Sequence, residues 1–187
     1  MFQRLAIPDL ILVTPKRHGD ARGYFSETYR ETDYAAAGIT GPFVQDNQAF
    51  SEAAGVLRGL HFQIPPAAQA KLISCTQGAI FDVAVDLRPG SPTFGQYASA
   101  ELSAENGHQL FVPDGFAHGY LTLSENCMVQ YKVTDYYSPH DERGLAWNDP
   151  EVGIAWPISD SAPILSKKDT TLPNLKALTP VLEEFRL

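Results

Sequence analysis

Glycine and proline cut this sequence into pieces too short for most helices, and within the pieces apolar residues recur at every second position. Period two belongs to strands, whose side chains alternate between two faces. Residues 11–14 read as one such strand, residues 24–29 as another after a Gly- and charge-rich turn at 18–23, and residues 43–48 as a further extended piece. Residues 72–76 and 79–87 have the form of two strands joined by a tight turn at Gln77-Gly78. In the second, Phe81, Val83, Val85 and Leu87 point one way and Asp82 and Asp86 the other, the pattern of a half-buried strand. Residues 95–102 form another strand and residues 107–121 a strand, turn and strand. Alternation returns over 127–134, with Val129, Tyr131 and Val133 on one face and Met128, Gln130 and Lys132 on the other. Helix is confined to residues 32–37, closed by Gly38, and to the end of a Pro-rich tail. Many short strands with little helix indicate an antiparallel sandwich or barrel.

A length of 187 residues predicts one domain over residues 1–187. No apolar run approaches the ~20 residues of a membrane helix, and the N-terminus lacks the apolar core of a signal peptide, so the expected location is the cytoplasm, away from membranes. Cys75 and Cys127 lie far apart and outside any C-x-x-C pattern, which predicts buried free thiols. A net charge of −8 argues against nucleic acid as a partner, and an anionic ligand would need local cations to hold it.

The sequence GVLRGLHFQ at 55–63, followed by Lys71, concentrates polar side chains in a strand. Strict alternation places His61 and Gln63 on one face and Arg58 on the other. His118 ends a Pro113-x-Gly115-x-x-His118 pattern that supplies a metal ligand in some jelly-roll barrels, but the earlier half of the chain offers no His-x-His pair to complete the site. The reading is a cavity without metal. His18, His108 and His140 lie in turn-like polar surroundings and read as solvated. His, Lys, Tyr and Asp without a nucleophile elbow or phosphate loop suit proton transfer better than hydrolysis. A packed core Tyr131 and a solvated Lys71 are the plainer alternatives. Asp82, directed away from the apolar face of its strand, is placed either to hold His118 or to pack a neighbouring loop.

These residues belong to longer motifs. The segments at 20–27 (DARGYFSE), 45–47 (QDN), 55–63 with Lys71-Leu72, 81–88 (FDVAVDLR), 113–119 (PDGFAHG) and 147–150 (WNDP) resemble the dTDP-4-dehydrorhamnose 3,5-epimerase family, over residues 7–175. The resemblance implies an all-β double-stranded β-helix, a jelly-roll (cupin-like) barrel with short peripheral helices. It implies a homodimer, needing no cofactor or metal, that inverts carbons 3 and 5 of dTDP-4-dehydro-6-deoxyglucose. By matching position, His61 would be the general base, Asp169 its orienting partner and Tyr131 the acid on the far face of the sugar. Lys71 and His118 would stabilise the enolate, and Arg22, Phe25, Glu27, Gln45, Asn47, Arg58, Glu142 and Lys168 would contact the substrate. The N-terminal segment crosses to the partner subunit in this family, so Arg22 and Glu27 are expected to serve the neighbour's site. Where the family usually carries Ser, this chain has Ala49, which removes one hydroxyl contact. Relatives that invert a single centre or move the ketone, and a sugar-binding module without turnover, are the competing expectations.

Overall fold

The computed structural model describes residues 1–158 and 162–183. Two antiparallel sheets face each other. One has the order β1 (Phe2–Arg4), β2 (Ile11–Val13), β10 (Gln109–Val112), β7 (Lys71–Gln77), β12 (Cys127–Val133), β5 (Gln45–Ser51). The other runs β13 (Glu142–Gly144), β6 (Leu57–Gln63), β11 (Phe116–Thr122), β8 (Ala79–Asp86), β9 (Tyr97–Ser103). A separate hairpin of β3 (Arg17–Asp20) and β4 (Gly23–Ser26) stands apart from both. The architecture is the expected cupin-like jelly roll. Its helices are peripheral: α1 (Glu31–Ala36), α2 (Leu175–Leu182) and a single 3-10 turn at Asp169–Thr171.

Three apolar clusters explain why both sheets hold. Ile73, Cys75, Leu110 and Val129 of the first sheet meet Ile80, Ala84 and Leu102 of the second, filling the space between them. The outer face of the second sheet, through Phe62, Val83, Val85 and Ala117, is covered by Leu145, Val152 and the Leu175, Leu178 and Leu182 stripe of α2. Tyr34 and Ile39, in and just after α1, cover Ile11, Val13 and Leu72 on the outer face of the first. Burying each such aliphatic side chain is worth about 1.5–3 kcal/mol, so these covers stabilise the sheets substantially. Among the described residues no helix is long and apolar enough to cross a membrane.

Two expectations are corrected here. Residues 79–87 do not form a half-buried strand: β8 is buried on both faces, and Asp82 and Asp86 are fully enclosed. Nor do β7 and β8 pair. Each is flanked on both edges by other strands, so the turn at Gly78 carries the chain from one sheet to the other. Gly78 has φ +75°, and a Cβ there would lie 2.7 Å from Cys127 Sγ, so the crossing requires glycine.

Asp149, in the Trp-Asn-Asp-Pro segment, turns out to be structural. Its Oδ1 accepts the Glu151 and Val152 amides, and its Oδ2 accepts the Leu175 amide at 2.6 Å. The start of α2 is thereby tied to the loop beneath it, with Asn174 capping the helix through the Ala177 amide.

Candidate active site

The site grows out of the pairing of β6 with β11 in the middle of the second sheet. His61 and His118 stand directly opposite each other in the register, whereas two residues further along β11, Tyr120 is opposite Arg58. Three steps on β6 therefore match two on β11. This bulge overturns the strict alternation expected of residues 55–63 and brings Arg58 into the same cavity as His61. Glycine makes the close approach possible: Gly59 has φ +116°, and a Cβ on it would lie 2.8 Å from Gly119 Cα and His118 O. Gln63 shares the face of His61 but is not in the cavity. It donates to Ala67 O and Tyr136 O and accepts the Ser138 amide, pinning the loop after β12.

The cavity holds about 370 Å³ and lies between the sheets. The second sheet contributes His61, His118 and Arg58, the first Lys71 and Tyr131. His61 Nε2–H donates to Asp169 Oδ1 at 2.7 Å. Asp169 is buried in the 3-10 turn, where its amide donates to Ser166 Oγ. The bond fixes the tautomer that leaves Nδ1 as the proton acceptor. Burial holds the imidazole below its ordinary pKa, opposed by the Asp169 charge. His118 repeats the pattern with Asp82 Oδ1, also at 2.7 Å. Lys71 reaches across from β7 to donate to His61 O at 3.2 Å, and burial brings its pKa down to about 8. Tyr131 faces inward with Val129, and burial pushes its hydroxyl up despite the countering charge of Arg58.

Glu142 receives bonds from Lys168 Nζ at 2.5 Å and Tyr137 Oη at 2.8 Å. Burial raises the Glu142 carboxyl, but those two donors outweigh it and hold the group below its usual range. Gln45 and Asn47 bond to one another on β5, with Asn47 opposite Tyr131. Ala49 lines the cavity and offers it no polar atom.

The comparisons with known proteins match the geometry. The sequence profile described as dTDP-4-dehydrorhamnose 3,5-epimerase fits residues 4–177. The chain belongs to that family. A dTDP-4-dehydrorhamnose 3,5-epimerase of Pseudomonas aeruginosa is 55% identical over 167 residues, covering 89% of this chain and 91% of its own. One from Sinorhizobium fredii is 52% identical over 174 residues, covering 93% and 89%. The crystal structure of dTDP-6-deoxy-D-glucose-3,5-epimerase from Legionella pneumophila, in complex with dTDP-4-keto-L-rhamnose, superposes with a TM-score of 0.92 at 43% identity, covering 97% of this chain and 96% of the other.

Among the residues expected from the epimerase family, Arg58, His61, Lys71, His118, Tyr131 and Asp169 converge on the one cavity. Gln45, Asn47, Glu142 and Lys168 are not among the residues that line it, and neither are Arg22, Phe25 and Glu27. Arg22 sits at the tip of the β3–β4 hairpin paired with Asp20, Phe25 is 71% exposed, and Glu27 is paired with Arg30. His140 is exposed, as expected of a solvated group, and so is His18, while His108 is half-buried. Among the described residues no group of three or more His, Cys, Asp and Glu is arranged to hold a metal. Sequence reasoning missed Tyr137 and Ser166, whose roles depend on loop geometry. It also passed over Tyr120, which alternation from His118 puts on the inner face.

Proposed function

We propose that this epimerase inverts carbons 3 and 5 of dTDP-4-dehydro-6-deoxyglucose to give dTDP-4-dehydro-L-rhamnose. The observation that carries the reading is the placement of a carboxylate-held imidazole and a tyrosine hydroxyl on facing sheets of one cavity. The ketone at carbon 4 acidifies the hydrogens on carbons 3 and 5. His61 Nδ1 takes a proton from one face, the electron pair passes to the ketone oxygen, and Tyr131 Oη returns a proton to the other face. Lys71 and His118 stabilise the enolate oxygen, Lys71 as a cation whose charge counts for more in a dry cavity than in water. Arg58 takes the diphosphate, for which a guanidinium supplies several donors.

The same reading makes the chain a homodimer, a single jelly-roll unit over residues 1–187 that lends its neighbour the β3–β4 hairpin. It is supported by the exposure of Tyr24 and Phe25 at 59% and 71%, by the separation of the β3–β4 hairpin from both sheets, and by the absence of Arg22 and Glu27 from the residues that line this chain's own cavity. Proton NMR of the product formed from dTDP-4-dehydro-6-deoxyglucose tests the function. Double inversion is expected. Inversion at one carbon alone, a shifted ketone, or binding without turnover would each replace the proposal.

A further inference from the structure

The carboxylate that holds His61 is not fixed as its counterpart at His118 is. Asp82 sits within β8, which pairs with β11 on one edge and β9 on the other, so the sheet sets its backbone. Asp169 has no such ladder. The chain comes to it from Ile164, which lies beside the start of β6: Ile164 N donates to Gly55 O at 2.8 Å, and Leu57 N donates to Ile164 O at 2.9 Å. From there the chain must turn so that the buried Asp169 carboxylate meets His61. Ser166, Lys167 and Lys168 make that turn while exposed, with little packing to define it. Lys168 is tied to Glu142 of β13, but only through the tip of a long, flexible side chain. The close restraint is Ser166. Its Oγ accepts the Asp169 amide at 3.1 Å, and its carbonyl accepts the Thr170 amide at 3.3 Å. A hydroxyl that accepts the amide three residues on is a cap, and it fixes where the turn begins. Among the described residues this is the one side-chain bond to the Asp169 backbone, as His61 is the one donor to its carboxylate. Ser166 also lines the cavity, which gives it a rival role as a direct substrate contact.

We propose that Ser166 is a positioning residue for the base: its hydroxyl sets the turn that presents Asp169 to His61. The inference rests on the epimerase reading and deepens it, carrying the machinery from His61 through Asp169 to a residue that need not touch the sugar.

Two measurements on Ser166→Ala test it. The first is steady-state kinetics on dTDP-4-dehydro-6-deoxyglucose, alongside wild type, Asp169→Asn and the double variant. Ser166→Ala should lower kcat about 2–30-fold, the weight of a capping hydroxyl on its turn, with KM little changed. The same substitution made in Asp169→Asn should cost nothing more, because the carboxylate it positions is already gone. Wild-type turnover in Ser166→Ala overturns the proposal, as does a loss carried in KM. A loss that persists undiminished in Asp169→Asn also overturns it and makes Ser166 a direct contact. The second measurement is NMR titration of the histidine rings, with His61 assigned by its disappearance in His61→Asn. The Asp169 charge raises the His61 pKa against burial and the charges of Lys71 and Lys168, so Ser166→Ala should titrate at lower pH than wild type. A His61 titration that Ser166→Ala leaves unmoved overturns the proposal, whatever the melting temperature does. The titration needs no turnover, so it decides the role of Ser166 even if wild type leaves the sugar unchanged, the result that would sink the epimerase reading instead.

Discussion

His61 and His118 face each other across adjacent strands, and each is bonded through Nε2 to a buried carboxylate oxygen 2.7 Å away. The two pairs differ in how the carboxylate is delivered. Asp82 comes from the neighbouring strand β8, fixed by the sheet, whereas Asp169 comes from a 3-10 turn 108 residues along the chain from His61. On the proposed mechanism, the strand-held pair is the enolate stabiliser and the loop-held pair is the base.

Asp169→Asn puts an amide where the carboxylate was. An amide NH₂ directed at Nε2 favours the tautomer with the proton on Nδ1, and no charge remains to stabilise the imidazolium. The variant is expected to fold, with kcat reduced about 10²–10⁴-fold, the range of a positioned base. Steady-state kinetics beside a circular dichroism melt check it, and near-normal turnover would remove Asp169 from the site.

Asp82→Asn should be milder on turnover, since it alters the partner of an enolate stabiliser and not of the base. It should lower kcat with KM little changed. Full activity would return Asp82 to the packing role that was its alternative.

The rate should follow a bell in pH. His61 must be neutral to act, and its pKa is held below 6.5, so kcat/KM rises as pH climbs through a value below that. Lys71 must be charged, and its pKa is about 8, so the rate falls as pH passes about 8. Lys71→Arg keeps its charge at high pH and should lose the alkaline limb. An alkaline limb unchanged in that variant would assign it to another group.

Gly59→Ala tests the bulge that brings Arg58 to the cavity. With φ +116° and a Cβ 2.8 Å from Gly119 Cα, the substitution is strained and sterically blocked. A loss of at least about 1–3 kcal/mol is expected in denaturant unfolding, together with weaker dTDP binding. Unchanged stability would mean that β6 and β11 can separate without cost.

Much of this was legible in the sequence because period-two alternation reports which residues share a face. It placed Tyr131 on one face with Val129, and that face turns inward, while it was the family resemblance that named His61, Lys71, His118 and Asp169 together. It misplaced Arg58 because a bulge adds a residue that alternation cannot count. It took β8 for a half-buried strand because Asp82 and Asp86 are polar, although Asp86 accepts from Arg88, Ser91 and Thr93 and one oxygen of Asp82 accepts from His118, bonds that offset much of the cost of burying them. Gly78 looked like a hairpin turn because a tight turn has the same local chemistry whether the next strand pairs with the last or crosses to the facing sheet.

The account stands most directly on the division of labour between His61 and Tyr131, and NMR of the two variants in heavy water measures it. His61→Asn lacks the base, so deuterium entry at carbons 3 and 5 and inversion should vanish together. Tyr131→Phe keeps the base and the enolate stabilisers; deuterium should still enter on the face His61 serves, while inversion falls about 10²–10⁴-fold. Inversion by Tyr131→Phe at close to the wild-type rate would contradict the account, because a proton donor other than Tyr131 would then serve the second face.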